Sequence, residues 1–223
     1  MGHDHHHHHS HDHHHHAHAV PSKINRAFII GIILNSVFVI TEAIAGLWSH
    51  SLALLTDAGH NLGDVAGLAL VLVAAKLSLK KTTNQNTFGY RQSTVLVALI
   101  NAFLLLVTVG AIGYEAILRI GEPNPIQGKV VAIVATVGII INSLTALLFM
   151  KDKEKDLNIK GAYLHMATDA LVSLGVVISG IIIVYTDWFW LDSIVSLIIV
   201  VIIIYGTWDL LKESLRLSLN NFP

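Results

Sequence analysis

The chain has 223 residues and a formal net charge of −1, with 53% hydrophobic and only 13% charged residues. An ordinary soluble domain carries about 25% charged residues, so this composition argues against that class and favours a chain built for lipid. The sequence contains no cysteine, which excludes disulfides, thiolate metal sites and a thiol redox switch.

The first segment is a histidine-rich leader, residues 1–22. Twelve of the fifteen histidines fall within its first eighteen residues. Asp4, Ser10, Asp12 and Ala17 interrupt the runs, which favours a native tract that gathers cytosolic metal ions over the second interpretation, a purification tag. No apolar segment with a small-residue cleavage site follows a basic start, so the leader is neither a signal peptide nor a transit peptide.

Six apolar stretches follow, each close to the roughly 20 residues that a bilayer-crossing helix needs. They are separated by polar turns, a charged run and a segment, Glu122–Pro125, whose prolines cannot continue a helix. The sequence therefore predicts an all-α membrane protein with six transmembrane helices in a domain of residues 23–214, followed by a short tail of residues 215–223. The predicted spans are 26–48, 52–77, 92–118, 128–150, 157–185 and 189–212.

The basic residues predict which way the helices run. If the amino terminus is cytoplasmic, twelve of the fourteen lysines and arginines fall on the cytoplasmic side, and Arg119 and Lys129 fall outside. This asymmetry follows the positive-inside rule, so we predict that the N and C termini are both cytoplasmic. We expect Asp187 and Asp192 to lie at the outer boundary of the membrane, in contact with water.

Two pairs of ionisable residues lie inside the second and fifth predicted spans. His60 and Asp64 are four residues apart, as are His165 and Asp169, so each pair leaves one face of its helix about a turn apart. At a rise of 1.5 Å per residue, each pair lies about 12 to 18 Å from its own end of the span, and the two spans run antiparallel. Both pairs therefore straddle the midplane of a hydrocarbon core about 30 Å thick.

The residue types in these pairs predict a metal site. Two imidazoles and two carboxylates form a complete tetrahedral ligand set for zinc, and these two spans carry no lysine or arginine near mid-depth to pair with the acids. A lone histidine in a span is often a packing residue, but packing does not explain two matched pairs at one depth. Because imidazole and carboxylate bind metal in their deprotonated forms, protons and metal compete for such a site, which favours a metal-ion transporter.

Five further polar residues lie in the spans with less specific roles. Asp57 lies about one turn from His60 and is either an acid on the access path or a partner that orients the ligands. Four others either orient the ligands or form hydrogen bonds between helices: Asn35, Glu42, Asn101 and Asn142.

The chain resembles the cation diffusion facilitator family of zinc exporters, in particular its bacterial cobalt-zinc-cadmium resistance branch. The resemblance covers essentially the whole chain and includes the leader and the six-span layout. Its most specific segments are the second-span sequence from Ser51 to Asp64, His165 to Asp169 in the fifth span, and Phe88-Gly-Tyr90 at the opening of the third.

This resemblance implies a function and a site. It implies that His60, Asp64, His165 and Asp169 form the transport site of a zinc/proton antiporter that works by alternating access, with Co²⁺ or Cd²⁺ as other possible substrates. It also implies a homodimer in the bacterial inner membrane. The expected partners of the protein are zinc ions, protons and lipid, and binding of nucleic acid is not expected.

Two features depart from the family pattern. The segment Arg91–Thr94 lacks the acid that usually follows Phe-Gly-Tyr, so the contact made by that carboxylate is not carried over. Family members usually continue into a cytoplasmic metal-sensing domain that helps to hold the dimer. The sequence ends at Pro223 without one, so we expect either a truncated or a naturally short member.

The segment Lys80–Arg91 has no histidine or aspartate, which argues against an extra metal site there.

Two other function classes are distinguishable from an antiporter. An intramembrane zinc enzyme needs an open coordination position and a general base, as in His-Glu-x-x-His. The sequence has no His-Glu dipeptide and four ligands would close the site, so we predict that the chain is not an enzyme. A passive metal channel or a membrane metal sensor would lack proton coupling, so zinc flux measured with and without a pH gradient separates it from an antiporter.

Overall fold

The computed structural model describes residues 26–78, 86–150 and 157–219, which form six α-helices. Four segments lie outside this description: residues 1–25, which include the leader, residues 79–85, the charged run Lys151–Asp156 and residues 220–223. The helices are α1 (Arg26–Ser49), α2 (Leu52–Ser78), α3 (Asn86–Gly121), α4 (Gly128–Met150), α5 (Leu157–Thr186) and α6 (Trp190–Leu219).

Two helices extend clearly beyond the predicted spans. α3 begins at Asn86 rather than near residue 92, so Phe88-Gly-Tyr90 lies inside its first turns and not in a loop. α6 continues to Leu219, beyond the predicted end at residue 212. The physical reason is that hydropathy marks only the apolar part of a helix, whereas its backbone hydrogen bonds can continue into the polar region outside the hydrocarbon core.

Three short connections meet at one end of the bundle, which we call the short-loop end: residues 49–52, 121–128 and 186–190. Gln127 ties two of them together, because its backbone N–H donates to the carbonyl of Ser49 over 3.3 Å. Arg119 donates to the carbonyl of His50 over 2.9 Å. His50 itself adopts a left-handed φ of 58°, which helps the chain to reverse within two residues.

Among the side chains that the structure describes, the buried apolar core lies in the half of the bundle next to the short-loop end. The helices approach closely there because small residues line the contacts. A Cβ atom added to Gly180 of α5 would lie only 2.8 Å from the backbone nitrogen of Ala132 in α4. The core cluster consists of Ala45, Ala53, Leu54, Val109, Val131, Ala135, Val176, Ile199, Val200 and Ile203.

The outside of the bundle is apolar. Large side chains such as Trp48, Phe103 and Leu171 are more than 60% exposed, and every helix contributes to this surface. Within the described residues, four segments are long and apolar enough to cross a membrane, and α1 adds a shorter apolar segment, Ile33–Ser49. Such a continuous apolar exterior is suited to contact with lipid rather than with water, as in a multi-pass membrane protein. The four segments are Leu99–Gly121, Gly128–Leu147, Tyr163–Thr186 and Trp190–Trp208.

Candidate metal centre

The four residues singled out by the two sequence pairs come together between α2 and α5. His60 and Asp64 project from one face of α2, and His165 and Asp169 from one face of α5. One ligand atom from each of the four lies within 4.8 Å of all the others. The i,i+4 spacing explains why both members of a pair reach the same point, since residues four apart lie one above the other on a helix.

Each histidine faces both carboxylates. His165 Nε2 lies 3.1 Å from Asp64 Oδ2 and 3.6 Å from Asp169 Oδ2. His60 Nε2 lies 3.6 Å from Asp64 Oδ2 and 3.5 Å from Asp169 Oδ1. The two imidazole rings approach edge to face, with centroids 5.8 Å apart and planes at 74°. Nitrogen and oxygen therefore alternate around a common centre.

These separations match the chemistry of a small tetrahedral cation. Ligand bonds of about 2.0 to 2.2 Å at tetrahedral angles place neighbouring ligand atoms roughly 3.3 to 3.6 Å apart. The four nitrogen–oxygen distances span 3.1 to 3.6 Å, and the complete set of four ligand atoms lies within 4.8 Å of one another. The arrangement is therefore compatible with a zinc-sized ion after side-chain adjustment, and two carboxylates would neutralise its double charge.

The histidine side chains of the cluster are more exposed than its carboxylates. The side chain of Asp169 is 1% exposed and that of Asp64 is 11% exposed, whereas His165 and His60 are 17% and 21% exposed.

Buried hydrogen bonds surround the cluster. Asn61 Nδ2 donates to Glu42 Oε2 of α1 over 3.3 Å. Ser173 Oγ of α5 donates to Asp57 Oδ2 over 3.0 Å. Both bonds involve residues next to the four-residue cluster in sequence or one helical turn away, so they fix the faces that α1, α2 and α5 present to it.

The other polar residues of the spans divide into two kinds. Asn101 Nδ2 of α3 donates to the backbone carbonyl of Gly63, next to Asp64, over 3.2 Å. Asn35 and Asn142 are buried, and Asn35 Oδ1 and both polar atoms of the Asn142 side chain meet no hydrogen-bond partner among the described residues. Asn101 therefore matches the alternative of a hydrogen bond between helices, and no contact among the described residues supports a ligand-orienting role for Asn35 Oδ1 or the Asn142 side chain.

Asp192 corrects one sequence expectation. We expected it to be solvated at the outer boundary, but it is 1% exposed and lies against the first turn of α2. Its Oδ1 accepts from the hydroxyl of Ser51 over 2.5 Å, and its Oδ2 accepts from the backbone N–H of Leu52 over 2.6 Å and of Ala53 over 3.3 Å. The helix N-terminus needs acceptors for its free N–H groups, and a carboxylate from α6 supplies them. Asp187, by contrast, is exposed as expected.

Sequence reasoning missed Asn61 and Ser173 as members of this site. A signal for both was present, because Asn61 follows His60 directly and Ser173 lies one turn beyond Asp169 on the same face. Neither signal shows which residue on another helix would be the partner. That information came only from the packing of α1, α2 and α5.

The sequence matches known transporters over most of its length. Residues 28–217 match the cation efflux transmembrane domain. The chain is 39% identical over 192 residues to the zinc transporter ZitB of Pectobacterium atrosepticum, covering 86% of this chain and 60% of that protein. It is 37% identical over 203 residues to the metal cation efflux system protein CzcD of Cupriavidus metallidurans, covering 91% of this chain and 64% of that protein.

The name of a third relative describes an exchange of metal ions for protons and potassium ions. The chain is 34% identical over 200 residues to the cadmium, cobalt and zinc/H(+)-K(+) antiporter of Bacillus subtilis, with 89% of this chain and 64% of that protein covered. The chain thus spans a little under two thirds of the length of these three relatives. The domain match nevertheless covers more than half of the chain. Together with these identities, it shows that the chain belongs to the cation efflux, or cation diffusion facilitator, family.

Proposed function

We propose that the protein exports zinc across a membrane in exchange for protons, with His60, Asp64, His165 and Asp169 as the transport site. The observation that carries this proposal is the alternation of nitrogen and oxygen around one point, at the spacing of a tetrahedral zinc site. The names of relatives that act on zinc, cobalt and cadmium support the same ion class. The matched domain is one of cation efflux, which argues against the enzyme alternative.

Proton exchange follows from the ligand chemistry. Imidazole nitrogens and carboxylate oxygens bind zinc through the same lone pairs that bind protons, so the two ions compete for the site. No lysine or arginine lies between residues 27 and 75 or between residues 161 and 211, which include the site and all of α6 up to Leu211. An empty site with two carboxylates in this environment is therefore neutralised by protons when zinc is absent.

The packing of α2 supports an alternating-access cycle. From Leu52 to Ala58 every residue of α2 except Leu55 is buried, whereas most residues from Gly59 to Ala66 are partly exposed. The site would thus be closed toward the short-loop end and more open toward the opposite end. With the short-loop end outside, this is the zinc-loading side of an exporter.

The membrane arrangement completes the proposal. We infer six spans with both termini cytoplasmic, because twelve of the fourteen basic residues then lie inside, as the positive-inside rule requires. The domain is residues 23–214, preceded by the metal-gathering leader and followed by the tail of residues 215–223. The exposed apolar surface leaves room for a second copy, and we propose a homodimer.

The test is zinc transport by the full chain reconstituted in lipid vesicles that contain a pH-reporting dye and a zinc-reporting dye. We expect zinc movement to be accompanied by proton movement in the opposite direction and to accelerate when the release side is made acidic. The control is Thr168→Ala, which changes an exposed neighbour of Asp169 whose hydroxyl donates to the carbonyl of Leu164 in its own helix.

Zinc movement at the full rate without any proton movement would overturn antiport and favour a passive channel. Tight zinc binding with no transport at all would favour the sensor alternative.

A further inference from the structure

The second half of α6 carries an apolar recess on the outside of the bundle, which we call the α6 recess. Its lining consists of Val201, Ile204, Tyr205 and Trp208, and its volume is about 320 Å³. Ligand sites in proteins measure about 300 to 1,000 Å³, so the recess is at the lower end of the range that holds a ligand. Val201 and Tyr205 are 66% and 81% exposed, so the described part of the chain leaves the recess uncovered.

The recess leads to a lysine on the same face of the helix. At about 100° per residue, Val201, Trp208 and Lys212 lie within about 40° of one another around the axis of α6. Lys212 is exposed, and its Nζ lies 5.3 Å from the centroid of the Trp208 ring. An aromatic face attracts an ammonium group but does not neutralise its charge, so Lys212 can still bind an anion at the end of the recess.

The position of Lys212 along α6 corresponds to the level of lipid headgroups. Trp190 and Trp208 bound an apolar segment and are about 27 Å apart at 1.5 Å per residue, close to the roughly 30 Å of a hydrocarbon core. Tryptophan is enriched at the two membrane–water interfaces, and Lys212 lies about 6 Å beyond Trp208. The recess, from Val201 to Trp208, covers about 10 Å of depth and so lies within one leaflet.

The charges at this end of α6 favour an anionic headgroup. Arg216 follows Lys212 by four residues in the same helix, whereas the connection 186–190 at the other end carries no basic residue. The acids of this end, Asp209 and Glu213, occupy positions about 80° and 120° around the helix axis from Val201. Basic residues next to a span attract the anionic lipids of the cytoplasmic leaflet, which is the leaflet that this end of α6 reaches in the proposed topology.

We propose that the α6 recess and Lys212 bind an anionic phospholipid, with one acyl chain along Val201 to Trp208 and the headgroup phosphate at Lys212. This lipid site is separate from the four proposed zinc ligands and goes beyond the proposed transport function. The proposed topology serves only to assign the site to the cytoplasmic leaflet.

The first test measures binding of single lipids to the purified full chain in detergent by native mass spectrometry. The probes are phosphatidylglycerol and phosphatidylcholine with identical acyl chains. We expect the parent to bind one phosphatidylglycerol severalfold more tightly than one phosphatidylcholine. Lys212→Gln should remove this difference, and Lys212→Arg should keep it. Val201→Trp, which fills the recess, should weaken the binding of both lipids.

The matched control is Lys129→Gln, which removes the same charge from an exposed lysine near the short-loop end and should bind both lipids as the parent does. Glycerol phosphate, which has the anionic group but no acyl chain, distinguishes a lipid site from a site for free phosphate. It should not displace phosphatidylglycerol at equal concentration. Displacement by glycerol phosphate, or parental preference for phosphatidylglycerol in Lys212→Gln, would overturn the proposal.

A second measurement locates the lipid in the unaltered parent and therefore needs no variant to fold. In vesicles, phosphatidylglycerol with a photoreactive group in one acyl chain should label the segment 201–208. Labelling confined to other helices would contradict the proposed site. The chain has no cysteine, so the Val201→Cys variant tests whether a second copy covers the recess instead. Efficient disulfide formation between two copies of this variant would overturn the lipid assignment, and we expect none.

Discussion

The two halves of this bundle differ in the partners that they provide for polar side chains inside a membrane. Toward the short-loop end, polar side chains are fully buried and linked between helices, as in the contacts of Asp192 with Ser51 and of Thr56 with Ser196. At the level of the proposed ligands, the histidines are about one fifth exposed and face carboxylates at distances suited to a bound ion. One half is thus held together by its own hydrogen bonds, and the other would be completed by an ion in the proposed function.

The difference shows how a single helix serves both purposes. The first turns of α2 pack against α6 through Asp192 and the Thr56–Ser196 bond, whose oxygen atoms are 2.7 Å apart. One to two turns further on, α2 presents His60 and Asp64 to α5 instead. A movement that opened the short-loop half would have to break the links with α6, so those links are suited to act as the closed gate of the proposed alternating-access cycle.

The largest expected effect comes from the ion-completed half. Asp169→Ala removes the most buried carboxylate. The site then has three ligands, and its single remaining carboxylate cannot neutralise the double charge of zinc. We expect zinc transport in vesicles to fall to the background of protein-free vesicles while the protein still purifies as a folded species. The same loss is expected for His60→Ala, Asp64→Ala and His165→Ala.

Near-normal transport by Asp169→Ala, with Thr168→Ala as the matched control, would break the comparison, because the two halves would then not differ in their need for an ion. Measurement of zinc binding in the same preparations separates loss of binding from loss of movement.

An intermediate effect is expected in the self-bonded half. Asp192→Asn keeps the size of the side chain but removes one acceptor oxygen and the charge that faces the N-terminus of α2. Hydrogen bonds to charged groups contribute about 1.5 to 3 kcal/mol each, so we expect a loss of about 2 kcal/mol in stability, seen as a lower melting temperature in detergent. We also expect greater accessibility at the short-loop end, measured by labelling of a cysteine placed at Leu52, whose bond to Asp192 is made by the backbone N–H and is kept in the substitution.

Asp187→Asn is the matched control for this variant, since Asp187 lies close to the same connection but is exposed. Equal melting temperatures and equal labelling for the Asp192 and Asp187 variants would mean that the α2–α6 link does not close the short-loop half.

The sequence predicted the regular and repetitive parts of this structure. Apolar length located all six helices, and the i,i+4 spacing placed His60 with Asp64 and His165 with Asp169 on common faces. The antiparallel order predicted for the two helices agrees with the meeting of the two pairs at one level of the bundle. These features follow from helix geometry alone, which is why local sequence was sufficient for them.

The sequence could not supply contacts that depend on how particular helices pack. Asp192 was expected in water because it lies near the outer end of its predicted span, yet its position on α6 faces the free N–H groups of α2. The Glu42–Asn61 bond joins residues on two helices whose rotation about their axes is set by the whole bundle. The start of α3 at Asn86 was missed because hydropathy does not register a helix that continues outside the apolar core.

The smallest expected effect concerns which ion the site prefers. His60→Asp replaces a nitrogen ligand with oxygen and would give the site three carboxylates and one imidazole. Imidazole suits zinc, whereas a site lined mostly by carboxylate oxygens accommodates more varied coordination. We therefore expect the ratio of cadmium to zinc transport to rise severalfold while zinc transport is retained. The measurement is uptake of each metal, alone and in competition, into vesicles with the parent or the variant.

The same change leaves the short-loop half untouched, so the melting temperature should stay close to that of the parent. A variant that keeps the parent's cadmium-to-zinc ratio would show that selectivity resides elsewhere than in the His60 ligand. A variant that loses stability would show that His60 also belongs to the self-bonded network.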